Sequence, residues 1–377
     1  MKRAHAVHFL PVLTDKWIGI KASLTMKENI YSSGEKLEKF SPSFPIQAYR
    51  LLNAYHFKMK IVIKDENLEP FFEEVFESDS YGSFQLKIPL NELKIDTNRK
   101  VHIIEAYEVG KINGLEMLLG TYLPLDLKGP KKYIICDFDK TLVDTKYSTP
   151  EEIYYSLTSP IDTFPTLTES IELFKKFFDQ GFHPFILSAS PHFYENAIRD
   201  WLYANNIYTA GIFLKDYRRV FSFLDSDLSP KDLKVQGIYK LGHLLDIIYL
   251  TGVPEEMVLM GDNFESDPII YLTFYELFYG NKEPRQIWKT LKDSESFKLN
   301  HKQNSLVLNK IFELSDAVKR SGIKPKIHIY IRKRANEKNL SLPANHDLPV
   351  HAVTLYETSI KHPPKLKSKK EAQVPTK

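Results

Sequence analysis

Apolar positions recur with two different periods in two parts of the chain. Over the first 128 residues the period is two. Lys58-Met59-Lys60-Ile61-Val62-Ile63-Lys64 nearly alternates, and Phe84, Leu86, Ile88 and Leu90 fall on one face directly after the turn-like Asp79-Ser80-Tyr81-Gly82. Val101 to Val109 and Met117 to Leu125 are further apolar, partly β-branched runs. Short runs of this kind with turn signals between them predict strands with one buried face. Together they predict a β-sandwich-like N-terminal domain over residues 1–128, a kind of module that reads as structural or targeting rather than catalytic.

The pattern changes after Lys128-Gly129-Pro130. Short apolar runs now alternate with segments of helical period. Tyr133 to Cys136, Phe185 to Leu187, Gly211 to Leu214, Met257 to Met260 and Ile327 to Ile331 read as strands. Leu167 to Phe178, His192 to Tyr203, Gly237 to Tyr249 and Pro268 to Phe278 read as helices, and Val307, Ile311, Leu314 and Val318 mark one more, ending at Gly322. Strand–helix alternation at this spacing predicts an α/β domain over residues 131–335, a Rossmann-like parallel sheet with helices on both faces, with an insertion at about 281–322. Residues 336–377 read as a C-terminal extension. Its last 17 residues hold six Lys against one Glu, a basic tail that solubilises or tethers to an anionic surface.

The candidate chemistry sits where strands are predicted to end. Ile134-Ile135-Cys136-Asp137-Phe138-Asp139-Lys140-Thr141 is an apolar strand running into two carboxylates. At strand period Asp137 and Asp139 point one way and Phe138 the other, into packing. In an open parallel sheet, ligands bind beyond the carboxyl ends of the strands, so both acids stand at the expected mouth. Val258-Leu259-Met260-Gly261-Asp262 is a second such strand, and Asp267-Pro268 after it reads as a helix start. Carboxylates brought this close repel unless a cation or a shared proton relieves them. An all-oxygen donor set suits Mg²⁺. Phe185-Ile186-Leu187-Ser188-Ala189-Ser190-Pro191 ends a third strand in a hydroxyl able to hold a phosphate oxygen. A compensating cation would be Lys240, on the helix before the Asp262 strand, with Lys234 as the other choice.

Composition narrows the classes. The chain has 377 residues, with 24 Phe and 21 Tyr, enough to build a large core. A net charge of +3 is too small for nucleic-acid binding as the main activity. A single Cys excludes a disulfide framework or a Cys-rich zinc site and fits a reducing compartment. The apolar stretch Ala6 to Leu13 is interrupted by His8 and Pro11 and followed by Asp15 and Lys16, unlike a leader or a membrane span. A cytoplasmic protein, peripheral to a membrane at most, is expected.

Asp137-x-Asp139-x-Thr141, then a strand ending in Ser188, then Lys240, then Gly261-Asp262-x-x-x-x-Asp267 resembles the haloacid-dehalogenase-like phosphatase superfamily. Within it, Leu187-Ser188-Ala189-Ser190-Pro191, Tyr239-Lys240, Gly261-Asp262-Asn263 followed by Asp267-Pro268-x-x-Tyr271, the late strand Ile329-Tyr330-Ile331-Arg332 and the stretch from Asp79 to Phe84 resemble the actin-patch phosphatidate phosphatases and their bacterial relatives. Ala189 stands where that family has Asn, and Tyr239 where it has His. The resemblance implies a Mg²⁺-dependent phosphomonoesterase acting through an aspartyl-phosphate on Asp137. Asp139 would be general acid and base, and its backbone carbonyl a metal ligand. Asp137, Asp262 and Asp267 would hold the metal too, and Thr141, Ser188 and Lys240 the phosphate. It implies phosphatidate as substrate and a phospholipid surface as partner. Only 51 residues separate Asp137 from Ser188, and 52 separate Ser188 from Lys240, which leaves little for a separate cap and suits a bulky or surface-held substrate. The alternatives are another phosphomonoester, or an inactive domain that binds phospholipid or protein.

Overall fold

A computed structural model describes residues 2–28, 55–93, 100–145, 159, 161–191, 194–215, 237–264, 266–280, 282–292, 301–334, 337, 339–343 and 346–361. Lys234 and the tail beyond residue 361 lie outside these.

The N-terminal part forms two four-stranded sheets. β1 (Lys2–Leu13), β2 (Trp17–Glu28), β5 (Ser83–Pro89) and β8 (Leu125–Asp126) form one, ordered β5-β2-β1-β8; β3 (Lys58–Lys64), β4 (Pro70–Glu77), β6 (Ile103–Ile112) and β7 (Leu115–Tyr122) form the other, ordered β4-β3-β6-β7. All pairings are antiparallel except β1 with β8. Alternate residues of both sheets meet in one core: Ile18, Ile20 and Leu24 from β2, Met59, Ile61 and Ile63 from β3, Ile104 and Ala106 from β6. That is the alternation visible along β3, now as two facing layers. The Asp79–Phe84 stretch is a turn into β5. Asp79 Oδ1 accepts the amides of Tyr81 and Ser83 at 2.9 Å each, and Gly82 takes φ +75°, where a Cβ would strike the Leu24 carbonyl.

The second part is a six-stranded, wholly parallel sheet. Its strands are β9 (Lys132–Asp137), β11 (His183–Pro191), β12 (Gly211–Lys215), β13 (Glu256–Asp262), β14 (Lys326–Arg332) and β15 (Val353–Tyr356), ordered β12-β11-β9-β13-β14-β15. The order reverses between β9 and β13, so these two neighbours carry their connections to opposite faces and leave a crevice between their carboxyl ends. Helices α1 (Thr168–Asp179) and α2 (Glu195–Ala204) cover the face bearing Ile134, Cys136, Ile186, Val258 and Met260. Helices α3 (Gly237–Thr251), α4 (Asp267–Tyr279), α5 (Pro284–Lys292) and α6 (His301–Ser321) cover the face bearing Tyr133, Ile135, Leu187 and Leu259. Strands buried on both faces read as the continuous apolar runs seen in the sequence.

Two differences from the sequence reading have physical causes. β11 continues to Pro191 through a register shift after Ser188, and the described part of α2 begins at Glu195. The extension after residue 335 supplies β15 to the main sheet, and its β16 (Ile360–Lys361) pairs with β10 (Thr166–Leu167); strands of four and two residues are too short to show a period. Lys215 is buried at the end of β12 with its Nζ 5.6 Å from the Tyr239 ring.

The N-terminal sheets dock on α3. Leu10, Val12 and Leu127 join the same apolar cluster as Leu244 and Ile248. Trp17 Nε1 donates to Leu250 O at 2.7 Å, and a Cβ on Gly19 would come within 3.0 Å of the same carbonyl oxygen. Lys21 and Lys310 both pair with Asp246, Lys310 at 2.6 Å, and Gln85 reaches the same carboxylate at 3.4 Å. No helix among the described residues is long and apolar enough to cross a membrane.

Candidate active site

Asp137 is the last residue of β9, and Asp262 the last of the neighbouring β13. Asp267 opens α4, five residues on, with Pro268 at the first helical positions, where a missing N–H has no helical partner to lose. All three are fully buried, and each offers a carboxylate oxygen within 4.8 Å of the others. Asp267 Oδ2 accepts the Asp262 amide at 3.1 Å, and Asp262 Oδ1 the Phe264 amide at 2.6 Å. Gly261 makes this turn possible: a Cβ there would collide with the Asp267 carboxylate and the Tyr271 ring.

Lys240, in the first turn of α3, enters the cluster. Its Nζ lies 2.5 Å from Asp267 Oδ1 and 3.1 Å from Asp137 Oδ1, and the side chain has no exposure. One ammonium does not balance three carboxylates. Two like charges 4.8 Å apart repel by roughly 3 kcal/mol at an effective dielectric of 20. The same negative field is felt next door: burial, then Asp137 and Asp267, push the Cys136 thiol well up, and burial, then Asp267 and Asp137, do the same to Tyr271.

Asp139 lies just beyond the strand, in the turn, and is buried. Oδ2 accepts Ser188 Oγ at 2.7 Å and Oδ1 accepts Thr145 Oγ1 at 3.1 Å. Ser188 Oγ in turn accepts the Ser190 amide at 3.0 Å. The structure thus gathers Asp137, Asp262, Asp267 and Lys240 and sets Asp139, Ser188 and Thr145 beside them as a second hydrogen-bonded group. Phe138, between the two acids, packs edge-on against Trp201 with centroids 5.1 Å apart, pointing away from them. Thr141 is fully buried in the same turn, and its hydroxyl has no hydrogen-bond partner among the described residues; nor has the buried Ser266 hydroxyl just before Asp267.

Three participants have no role assigned by the sequence reading, although Asn263 and Tyr271 stand in its motifs. Thr145 lies six residues past Asp139, outside any spacing that marks it. Asn263 donates to Glu337 Oε2 at 3.2 Å and to Asn339 O at 2.9 Å, and accepts the Ser341 amide at 2.8 Å, fastening the segment after β14 beside the site. Tyr271 donates its hydroxyl to Met260 O at 2.9 Å, holding α4 against β13.

A divalent cation fits this donor set. It is all oxygen, buried, and more negative than Lys240 offsets, which is the chemistry of hard cations. Bound there, the ion would be held by Asp137, Asp262 and Asp267.

Residues 133–287 match the family model described as phosphatidate phosphatase APP1, catalytic domain. The family is named for a phosphatidate phosphatase, an enzyme that hydrolyses a phosphoric monoester. No curated protein sequence matches the chain significantly. Among solved structures, the chain is similar to a Pnkp1/Rnl/Hen1 complex at 18% identity and TM-score 0.26, over 41% of this chain and 49% of that one. It is also similar to a β-glucuronidase of Parabacteroides merdae at 10% identity and TM-score 0.26, over 88% of this chain and 34% of that one. The chain therefore spans less than half the length of either, and likeness at this level carries no functional meaning.

Proposed function

We propose that this chain, whose residues 133–287 belong with the APP1 phosphatidate phosphatase catalytic domains, is a Mg²⁺-dependent phosphatase of haloacid-dehalogenase-like fold that converts phosphatidate to diacylglycerol. The observation that carries the reading is the convergence of Asp137, Asp262 and Asp267 around Lys240 at the crevice between β9 and β13.

Asp137 is the nucleophile. It attacks phosphorus, forms an aspartyl-phosphate and releases the alcohol; water then cleaves the acyl-phosphate and frees inorganic phosphate. Asp139, oriented by Ser188 and Thr145, gives its proton to the leaving oxygen and takes one from the attacking water. Lys240 places a positive charge beside Asp137 and the incoming phosphate. The Thr141 hydroxyl and Ser188 meet the phosphate oxygens. A bound Mg²⁺ supplies charge neutralisation between the phosphate and Asp137, which lets an anion approach an anion. Most of the rate enhancement is positioning and electrostatic stabilisation.

A phospholipid surface is the natural partner of such an enzyme. Ala189 and Tyr239 depart from the family's residues and favour, as second reading, another phosphomonoester. Phosphate release from phosphatidate in mixed micelles, beside a panel of soluble phosphomonoesters, separates the two. Mg²⁺-dependent release from phosphatidate, reduced at least a thousandfold in Asp137→Asn, is expected. Turnover of soluble esters alone would remove the lipid, and equal release by Asp137→Asn would remove the enzyme.

A further inference from the structure

We propose that Arg332 is a positioning residue for the turn that carries Asp139 and Thr141; its kinetic consequence rests on the phosphatase reading, its structural one does not. Arg332 ends β14, in register with Asp262 of β13, so it rises at the same rim one strand further out. Its side chain is 6% exposed. Nη1 donates to the Lys140 carbonyl at 2.7 Å, and the same nitrogen is 3.5 Å from Asp144 Oδ1. The guanidinium also sits over the Phe264 ring at 5.5 Å, in the loop that follows Asp262.

The turn it grips is tight. The amides of Thr141, Leu142 and Val143 all point to Phe138 O, at 3.4, 3.0 and 3.2 Å, and the Lys140 amide donates to Val143 O at 2.7 Å. Lys140 adopts φ +58°, the left-handed region that a side chain disfavours. A residue held there needs outside support, and strain of this sort persists only where surrounding contacts over-determine it. The Lys140 carbonyl meets a charged donor, a stronger bond than a neutral one. A planar guanidinium can bond the carbonyl while facing Asp144, which a single ammonium does less well. With Lys140 fixed, the Thr141 hydroxyl and Asp139 backbone on either side of it are fixed too. A buried cation one strand from Asp262 also opposes the excess negative charge of the site.

Hydrogen exchange over residues 138–145 and steady-state phosphate release, in wild type, Arg332→Met and Arg332→Lys, test this. In Arg332→Met the amides of residues 140–143 should exchange at least tenfold faster while those of β11 and α3 keep their protection. There kcat should fall ten- to a hundredfold with KM within twofold, and Arg332→Lys should recover part of both losses. Wild-type exchange across the turn in Arg332→Met overturns the proposal, as does a loss of protection spread evenly over the sheet. Should Arg332→Met not fold, wild-type exchange in Arg332→Lys overturns it instead. If wild type releases no phosphate from any ester, the phosphatase reading fails, and the exchange data still decide the role of Arg332.

Discussion

Helix α3 carries two ionic clusters with opposite imbalances. In its first turn Lys240 stands alone among Asp137, Asp262 and Asp267. Six residues on, Asp246 stands alone between Lys21 and Lys310. Both are buried at the centre, yet they differ in what they lack. The second cluster is complete: burial pushes the Asp246 pKa up, but Lys21 and then Lys310 outweigh it and hold the carboxyl well below the usual carboxylate range. Its lysines reach solvent, so surplus positive charge is screened. The first cluster has no exposure at all and a surplus of negative charge, which burial makes expensive. Surplus charge that solvent cannot reach points to a missing ion; surplus charge at the edge of solvent is a fastening.

The comparison can be broken in three ways. The largest effect is expected from Asp246→Ala, which removes the shared partner of Lys21 and Lys310 and unpins the β5-β2-β1-β8 sheet from α3. Denaturant unfolding should show a loss of roughly 3 kcal/mol, with the response to Mg²⁺ intact. Next, saturating Mg²⁺ should stabilise wild type by about 2.7 kcal/mol at a hundredfold excess over Kd. Asp262→Asn should remove that gain and, without Mg²⁺, melt above wild type because one source of repulsion is gone. A third effect, smaller over any single pH unit, separates the clusters by pH. The enclosed His243 ring, one turn past Lys240, is held down to about 3 by burial, then by Lys21, with Asp246 acting the other way. Its Nε2 faces Leu214 O at 3.1 Å, while Nδ1 has no partner among the described residues to accept a second proton. The folded value lies below the ordinary one near 6.5, so the unfolded chain takes up the proton first as pH falls. This contribution is complete above pH 6.5 and is lost toward pH 3, at no more than about 1.4 kcal/mol per pH unit. His243→Gln should flatten that part of a stability-against-pH curve.

What could be read without coordinates follows from the range over which each signal acts. β9 and β13 announce themselves because strands buried on both faces are apolar without interruption, as in Tyr133 to Cys136 and Met257 to Met260, whereas β14 shows as an alternation, with Ile327, Ile329 and Ile331 buried and His328 and Tyr330 half-buried. β1 was read only as an apolar stretch, since Pro11 and the register shift between Ala6 and His8 disturb its alternation. Asp137, Asp262 and Asp267 stood out singly by their place at strand ends. Their meeting depends on β9 lying beside β13, a property of strand order that no local window contains. Lys240 was one of two choices, and Lys234 lies outside the described residues. Thr145, Asn263 and the Lys140 contact of Arg332 were not legible: each acts through a hydrogen bond whose other half is set by the turn, not by spacing.

The family likeness stops at residue 287, part-way through α5, before α6, β14 and β15 have been made. Recognisable ancestry and a self-sufficient folding unit are therefore different stretches of this polypeptide. A fragment cut to the recognisable stretch would give up the last two strands of the sheet, bare the edge of β13, and leave the α3 surface around Leu250 without Trp17 to cover it. The workable cut for dissecting this protein follows hydrogen bonds across the sheet and keeps everything through residue 361.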